Sequence, residues 1–89
     1  MSDLHTADSR HWFITGASGG LGRSIAEYAL QQGDFVTATA RRTSALDDLE
    51  QQHGERLTVE ELDLSPPASV EDLVTRTQAA RGVDIVVNN

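Results

Sequence analysis

Thr15-Gly16-Ala17-Ser18-Gly19-Gly20-Leu21-Gly22 follows the short apolar run Trp12-Phe13-Ile14 and opens an amphipathic stretch that reaches Gln32. A strand ending at Thr15 must turn sharply into a helix beginning near Gly20. Glycine permits both the positive-φ turn and the close approach of a ligand to bare backbone. Amides at the start of such a helix have no intrahelical acceptor and, with the helix dipole behind them, face negative charge. The segment therefore predicts a seat for a dinucleotide pyrophosphate.

The spacing excludes two rivals. A P-loop needs a lysine after its last glycine to reach the β- and γ-phosphates, and the chain contains no lysine. The Gly-x-Gly-x-x-Gly fingerprint also fails, because Gly20-x-Gly22 is followed by Ile25 where the third glycine belongs. What fits is Thr-Gly-x-x-x-Gly-x-Gly, on Gly16, Gly20 and Gly22. Thr-Gly-x-x-Gly-x-x-Gly, on Gly16, Gly19 and Gly22, fits the same residues.

Outward from this turn the chain alternates apolar runs with helical segments, the pattern of parallel βαβ units. Residues 1–10 read as a polar, flexible tail, and 11–89 as one partial dinucleotide-binding domain. Leu21, Ile25, Ala29 and Leu30 lie at helical spacing, and Gly33 supplies a stop. Phe35–Ala40 is a second strand, and Thr43 or Ser44 caps a helix reaching His53, with Gly54 ending it. Leu57–Asp63 is a third strand, whose alternation slips at Glu60-Glu61 and so predicts an edge position or a bulge. Ser65-Pro66-Pro67 starts another helix with Val70, Leu73, Val74 and Thr77 on one face, and a fourth strand follows Gly82. Right-handed crossovers then give an α/β, Rossmann-like, doubly wound parallel sheet in the order 3-2-1-4.

The glycine pattern resembles that of the short-chain dehydrogenase/reductase family. Two further landmarks extend the resemblance over residues 12–89. Asp63-Leu64 closes the third strand, where the family places an aspartate near adenine. Val83-Asp84-Ile85-Val86-Val87-Asn88-Asn89 looks like the family's fourth strand running into Asn-Asn-Ala-Gly. The resemblance implies cofactor contacts by Gly16, Ser18, Gly19, Gly20, Leu21 and Gly22 in the turn. It adds Asp63, Leu64 and Asn88 at the ends of strands three and four. Asp63 reads equally as a turn or cap residue before Ser65, and Asn88 also as a tie between neighbouring strands.

An acidic residue about 20 positions beyond the glycines binds the adenosine ribose, whereas an arginine there accommodates a 2′-phosphate. Here Ala40 ends strand two and Arg41-Arg42 follow, so NADP(H) is expected over NAD(H). The family's position for a further basic residue, before the second glycine, holds Gly19, and Arg23 lies past the loop.

By resemblance, the chain is the cofactor-binding half of an oxidoreductase moving a hydride between nicotinamide and a small carbonyl or alcohol substrate, and the parent is a homo-oligomer. The family's Ser, Tyr and Lys are expected beyond Asn89, so no catalytic residue is assigned and this stretch alone is expected to be inactive. Tyr28, with Gln32 four residues on, does not match Tyr-x-x-x-Lys. The alternative readings are an extended-branch epimerase or dehydratase, matching the second glycine pattern, and a non-catalytic NADP(H) sensor.

Composition narrows the rest. Eighty-nine residues allow one small domain, burying about 60–65% of the surface its unfolded chain exposes. Cysteine is absent, which removes disulfides, thiolate ligands and cysteine nucleophiles. The histidines join no carboxylates at ligand spacing, so no metal site is expected. A formal charge of −7 argues against nucleic acid as a partner. With neither a signal peptide nor a run long enough to span a membrane, a cytoplasmic location is expected.

Overall fold

The computed structural model describes residues 9–62, 68–80 and 82–88. Strands β1 (His11–Ile14), β2 (Phe35–Ala40), β3 (Leu57–Glu61) and β4 (Ile85–Val87) form one parallel sheet in the order β3-β2-β1-β4. Helices α1 (Gly20–Gln31), α2 (Asp47–His53) and α3 (Ala68–Ala80) alternate with them, and a 3-10 turn at Thr43–Leu46 precedes α2. This is the expected partial Rossmann-like order. No helix among the described residues is long and apolar enough to cross a membrane.

Burial on both faces explains why β1 reads as a continuous apolar run. Ile14 joins a core with Ala26, Ala29, Leu30, Val36 and Leu46, while Phe13 packs on the other face with Leu62 and Leu73. On α1 the inward line is Gly22, Ala26, Ala29 and Leu30, small residues for the most part, which bring the helix close to the sheet. Leu21, expected on this face, is instead 68% exposed. The cause is the helical step of about 100° per residue, which turns Leu21 onto the flank once Gly22 and Ala26 face inward.

A Schellman motif ends α1. Gly33 adopts φ 95°, its amide donates to Leu30 O at 3.1 Å, and the Asp34 amide donates to Ala29 O at 3.0 Å. The expected single helix from Thr43 to His53 is divided. Neither part has a side-chain cap, and Gly54 at φ −29° is not a left-handed stop. The tighter 3-10 turn ends on Leu46 and α2 carries Leu49, three residues on, and both enter the same core.

β3 is one of the two outermost strands among the described residues, and its register with β2 runs unbroken from Val36↔Leu57 to Ala40↔Glu61. The edge position, without a bulge, accounts for Glu60-Glu61. On α3, Leu73 is buried and Val74 and Thr77 are half-buried. Ser65-Pro66-Pro67 and the Val70 side chain lie outside the described residues.

At the amino edge of the sheet, Asp34 gathers three donors. Its Oδ1 accepts from the Arg10 amide at 3.1 Å, and its Oδ2 from Trp12 Nε1 at 2.9 Å and Gln32 Nε2 at 2.7 Å. Ser9 Oγ donates to Gly33 O at 3.0 Å, so Ser9 and Arg10 are tied to this corner although the sequence places them in a tail. Burial pulls the Asp34 carboxyl upward, but the Trp12, Arg10 and Gln32 donors outweigh it and hold it below the ordinary value. A folded-state pKa below the unfolded one contributes stability that is present above the unfolded value, about 3.9, and is lost as pH falls through the folded value. Asp34→Ala should therefore remove about 2 kcal/mol at neutral pH and flatten the acid limb of the stability profile. Denaturant unfolding followed by Trp12 fluorescence from pH 7 to pH 2 measures both.

Candidate functional site

The parallel sheet brings the ends of β1, β2 and β4 to one edge. There the Thr15 amide donates to Val87 O at 3.0 Å, and Thr15 Oγ1 donates to Asn88 Oδ1 at 3.3 Å, so Asn88 ties β4 to β1. Gly16 then turns the chain at φ 62°. Its amide donates to Thr39 Oγ1 at 3.3 Å, and the Ala17 amide donates to Thr39 O at 2.9 Å. A second left-handed residue, Gly20 at φ 60°, starts α1. Between these turns, the Ser18, Gly19, Gly20 and Leu21 amides donate to no acceptor among the described residues.

The two glycines in the middle of the loop differ in what demands them. Gly19 is extended at φ −165°, a conformation open to any residue. Gly20 needs the left-handed region that L side chains avoid. Positive φ at Gly16 and Gly20 follows the pattern Gly16-x-x-x-Gly20-x-Gly22, whereas the pattern built on Gly19 places a glycine where the backbone asks for none. A Cβ built on Gly19 or Gly20 would meet nothing within 4 Å. The space over the free amides is thus open on the protein side, as close approach of a ligand to backbone requires.

Arg41 and Arg42 leave the end of β2 exposed, and neither guanidinium is in an ion pair among the described residues. Arg23 is turned away from the loop. Its Nε bonds Glu27 at 3.1 Å, Nη1 donates to Ala45 O at 3.2 Å and Nη2 pairs with Asp48. The hydrogen bond from Arg23 holds the Asp48 carboxyl below its ordinary value, and Asp48 in turn raises the Arg23 guanidinium. This arginine fastens α1 to α2. Of the residues expected at the site, Gly16, Ser18, Gly19, Gly20, Leu21, Gly22, Arg41, Arg42 and Asn88 share the carboxyl edge, and Asp63 and Leu64 lie outside the described residues.

Thr39 was not picked out by sequence reading. The available signal was a threonine one position before the end of a buried strand that is otherwise mostly Val and Ala. Ala40 is buried in the core and Glu61 lies opposite it on β3, so a carboxylate at position 40 would have to be accommodated partly inside the fold. Tyr28 is 60% exposed.

Residues 10–89 match the family model for the short chain dehydrogenases. The chain is 44% identical over 80 residues to oxidoreductase BOA17 of Botryotinia fuckeliana, covering 88% of this chain and 29% of that protein. It is 36% identical over 77 residues to the NADP-dependent 3-hydroxy acid dehydrogenase YdfG of Escherichia coli, covering 85% of this chain and 31% of that protein. The solved structure of a short-chain dehydrogenase from Streptomyces avermitilis superposes with a TM-score of 0.86 at 43% identity, covering 91% of this chain and 30% of that one. The chain belongs to the short-chain dehydrogenase/reductase family. It spans about three tenths of the length of these relatives.

The contrast between the loop glycines is measurable without ligand. Gly20→Ala should lower stability by about 1–2 kcal/mol, the penalty of an L residue in the left-handed region. Gly19→Ser, which adds a side chain in open space and keeps a favoured residue at the N-cap of α1, should cost no more than about 0.5 kcal/mol. Thermal unfolding of the two variants side by side gives both values.

Proposed function

We propose that this chain forms the NADP(H)-binding part of an oxidoreductase that moves a hydride between nicotinamide C4 and the carbonyl or alcohol carbon of a small molecule. The observation that carries the cofactor choice is the pair of exposed guanidiniums, Arg41 and Arg42, without ion-pair partners among the described residues, just past Ala40 at the end of β2. Arginine's planar fork makes charge-assisted, bidentate contacts with phosphate oxygens. A 2′-phosphate is the group that distinguishes NADP from NAD at this position of the fold. The relative from Escherichia coli is named NADP-dependent, in keeping with that choice.

The division of labour follows from residue chemistry. Amides of Ser18 to Leu21 donate to the pyrophosphate oxygens, helped by the start of α1. The open space above Gly19 and Gly20 lets those oxygens approach the backbone. Arg41 and Arg42 would take the 2′-phosphate, Asp63 and Leu64 would contact the adenine end, and Asn88, which accepts from Thr15 Oγ1 at the end of β4, would contact the bound nucleotide. The bound cofactor supplies the hydride chemistry. Proton transfer needs a donor beside the substrate oxygen, and the 89 residues contain no lysine and a single tyrosine, Tyr28 on α1. In this proposal those groups, the substrate pocket and a homo-oligomeric interface come from sequence outside Met1–Asn89, and the protein works in the cytoplasm.

Loss of two charge-assisted contacts, each about 1.5–3 kcal/mol, should make Arg41→Ala weaken NADPH by at least about a hundredfold while leaving NADH nearly unchanged. Because Ala40 is part of the core, Arg41→Ala is a cleaner test than a carboxylate at position 40. Calorimetric titration with both nucleotides decides it. Equal losses for the two would overturn the assignment of the 2′-phosphate to this strand end.

A further inference from the structure

We propose that Thr39 is a positioning residue for the dinucleotide site, locking the glycine turn to the strand that carries Arg41; this rests on the binding role proposed above. Thr39 is 1% exposed and serves two successive amides of the turn. Its Oγ1 accepts from Gly16 at 3.3 Å and its carbonyl from Ala17 at 2.9 Å.

Those two bonds sort the amides of the turn. Gly16 and Ala17 are engaged with β2, so the amides left to meet an anion are those of Ser18 to Leu21. The backbone carbonyl of Thr39 would accept from Ala17 whatever the side chain. The bond to the Gly16 amide, by contrast, depends on the hydroxyl, and it falls at the residue whose left-handed φ of 62° sets where the turn goes. The same strand places Arg41 two residues later. Thr39 therefore fixes where the turn and its pyrophosphate amides stand on the sheet, while Arg41 keeps its place on β2 whichever side chain is at position 39. A positioning group of this kind alters affinity for both nucleotides without altering the choice between them.

A control is built into the strand. Thr37 sits two residues back, on the same face of β2, and is 4% exposed. Its Oγ1 bonds His11 Nε2 at 2.8 Å, at the opposite end of the sheet from the glycine turn. Thr37→Val and Thr39→Val each remove one buried hydroxyl from β2 and differ in which end of the sheet loses its bond.

The experiment is calorimetric titration of the full-length protein with NADPH and NADH, together with amide hydrogen exchange at Gly16 and Ala17 in the nucleotide-free state. Thr39→Val should weaken both nucleotides by about tenfold, as expected for one lost hydrogen bond that positions the loop. The ratio of the two affinities should stay at the parent value. Thr39→Ser should restore binding, and Thr37→Val should stay within about twofold of the parent. Exchange at Gly16 should be faster in Thr39→Val than in Thr37→Val. If Thr39→Val does not fold, Thr39→Cys, whose thiol is a weak acceptor, is judged by the same criteria. Parent-like binding in Thr39→Val, an equal loss in Thr37→Val, or a changed NADPH-to-NADH ratio overturns the proposal. If the parent binds neither nucleotide, the functional reading fails while the exchange comparison still decides the clamp, equal exchange in the two variants overturning it.

Discussion

β1 is hydrogen-bonded to β2 along one side and to β4 along the other, and a strand held on both sides cannot slide without breaking two ladders. The ladder continues one residue past the strand, through the Thr15 amide to Val87 O. There the chain must leave the sheet and reverse direction, because a right-handed crossover has to return along one face before β2 can run parallel to β1. Gly16 makes that departure possible by turning left-handed. The cluster of amides at Ser18 to Leu21 stands where it does because β1 has no other place to end.

The two edges of the sheet solve their polar requirements differently. At the amino edge, donors and acceptors satisfy one another: Asp34 takes the Arg10, Trp12 and Gln32 donors, His11 bridges Thr37 and Gly82, and Arg56 donates to the Leu30 and Asp34 carbonyls. No buried side-chain polar atom among the described residues lacks a partner, as a stable interior requires. At the carboxyl edge, four backbone amides and two guanidiniums have no protein acceptor among the described residues. They are near solvent, so leaving them so carries little penalty in the free protein. On a chain with formal charge −7, a local concentration of donors without carboxylate partners favours an anion at that edge.

Much of this was legible in the sequence because the signals are local. Glycine at a strand-to-helix turn, apolar runs at regular spacing and Gly33 after Leu30 each report a conformation a few residues can decide. What sequence reading missed depends on contacts between distant segments. The direction of Arg23 follows from Asp48, 25 residues away, and the role of Thr39 from Gly16, 23 residues away. Leu21 was misplaced because periodicity fixes a helix's stripe only to within about one residue, and the small residues Gly22, Ala26 and Ala29 moved the inward line off the larger side chains. Asp34 reads in sequence as a loop residue after a helix stop; its three donors come from the start of β1 and the end of α1, which meet only in the fold.

Gly19 and Gly20 separate two kinds of information carried by one motif. Gly20 is explained by the chain itself, because its φ of 60° excludes most other residues in any protein that turns this way. Gly19 is less constrained: it is the N-cap of α1, a place that Ser, Thr, Asn or Asp would fill as well, its backbone is extended, and a Cβ there would meet nothing within 4 Å. With no capping side chain over it, that N-cap leaves room for a group from outside the chain to come close. In the function proposed above, that group is the nucleotide that the neighbouring amides and Arg41 would bind. The positive-φ glycines thus describe how the turn is made, and the bare N-cap at Gly19 leaves its amides open to what the proposed function would bring there.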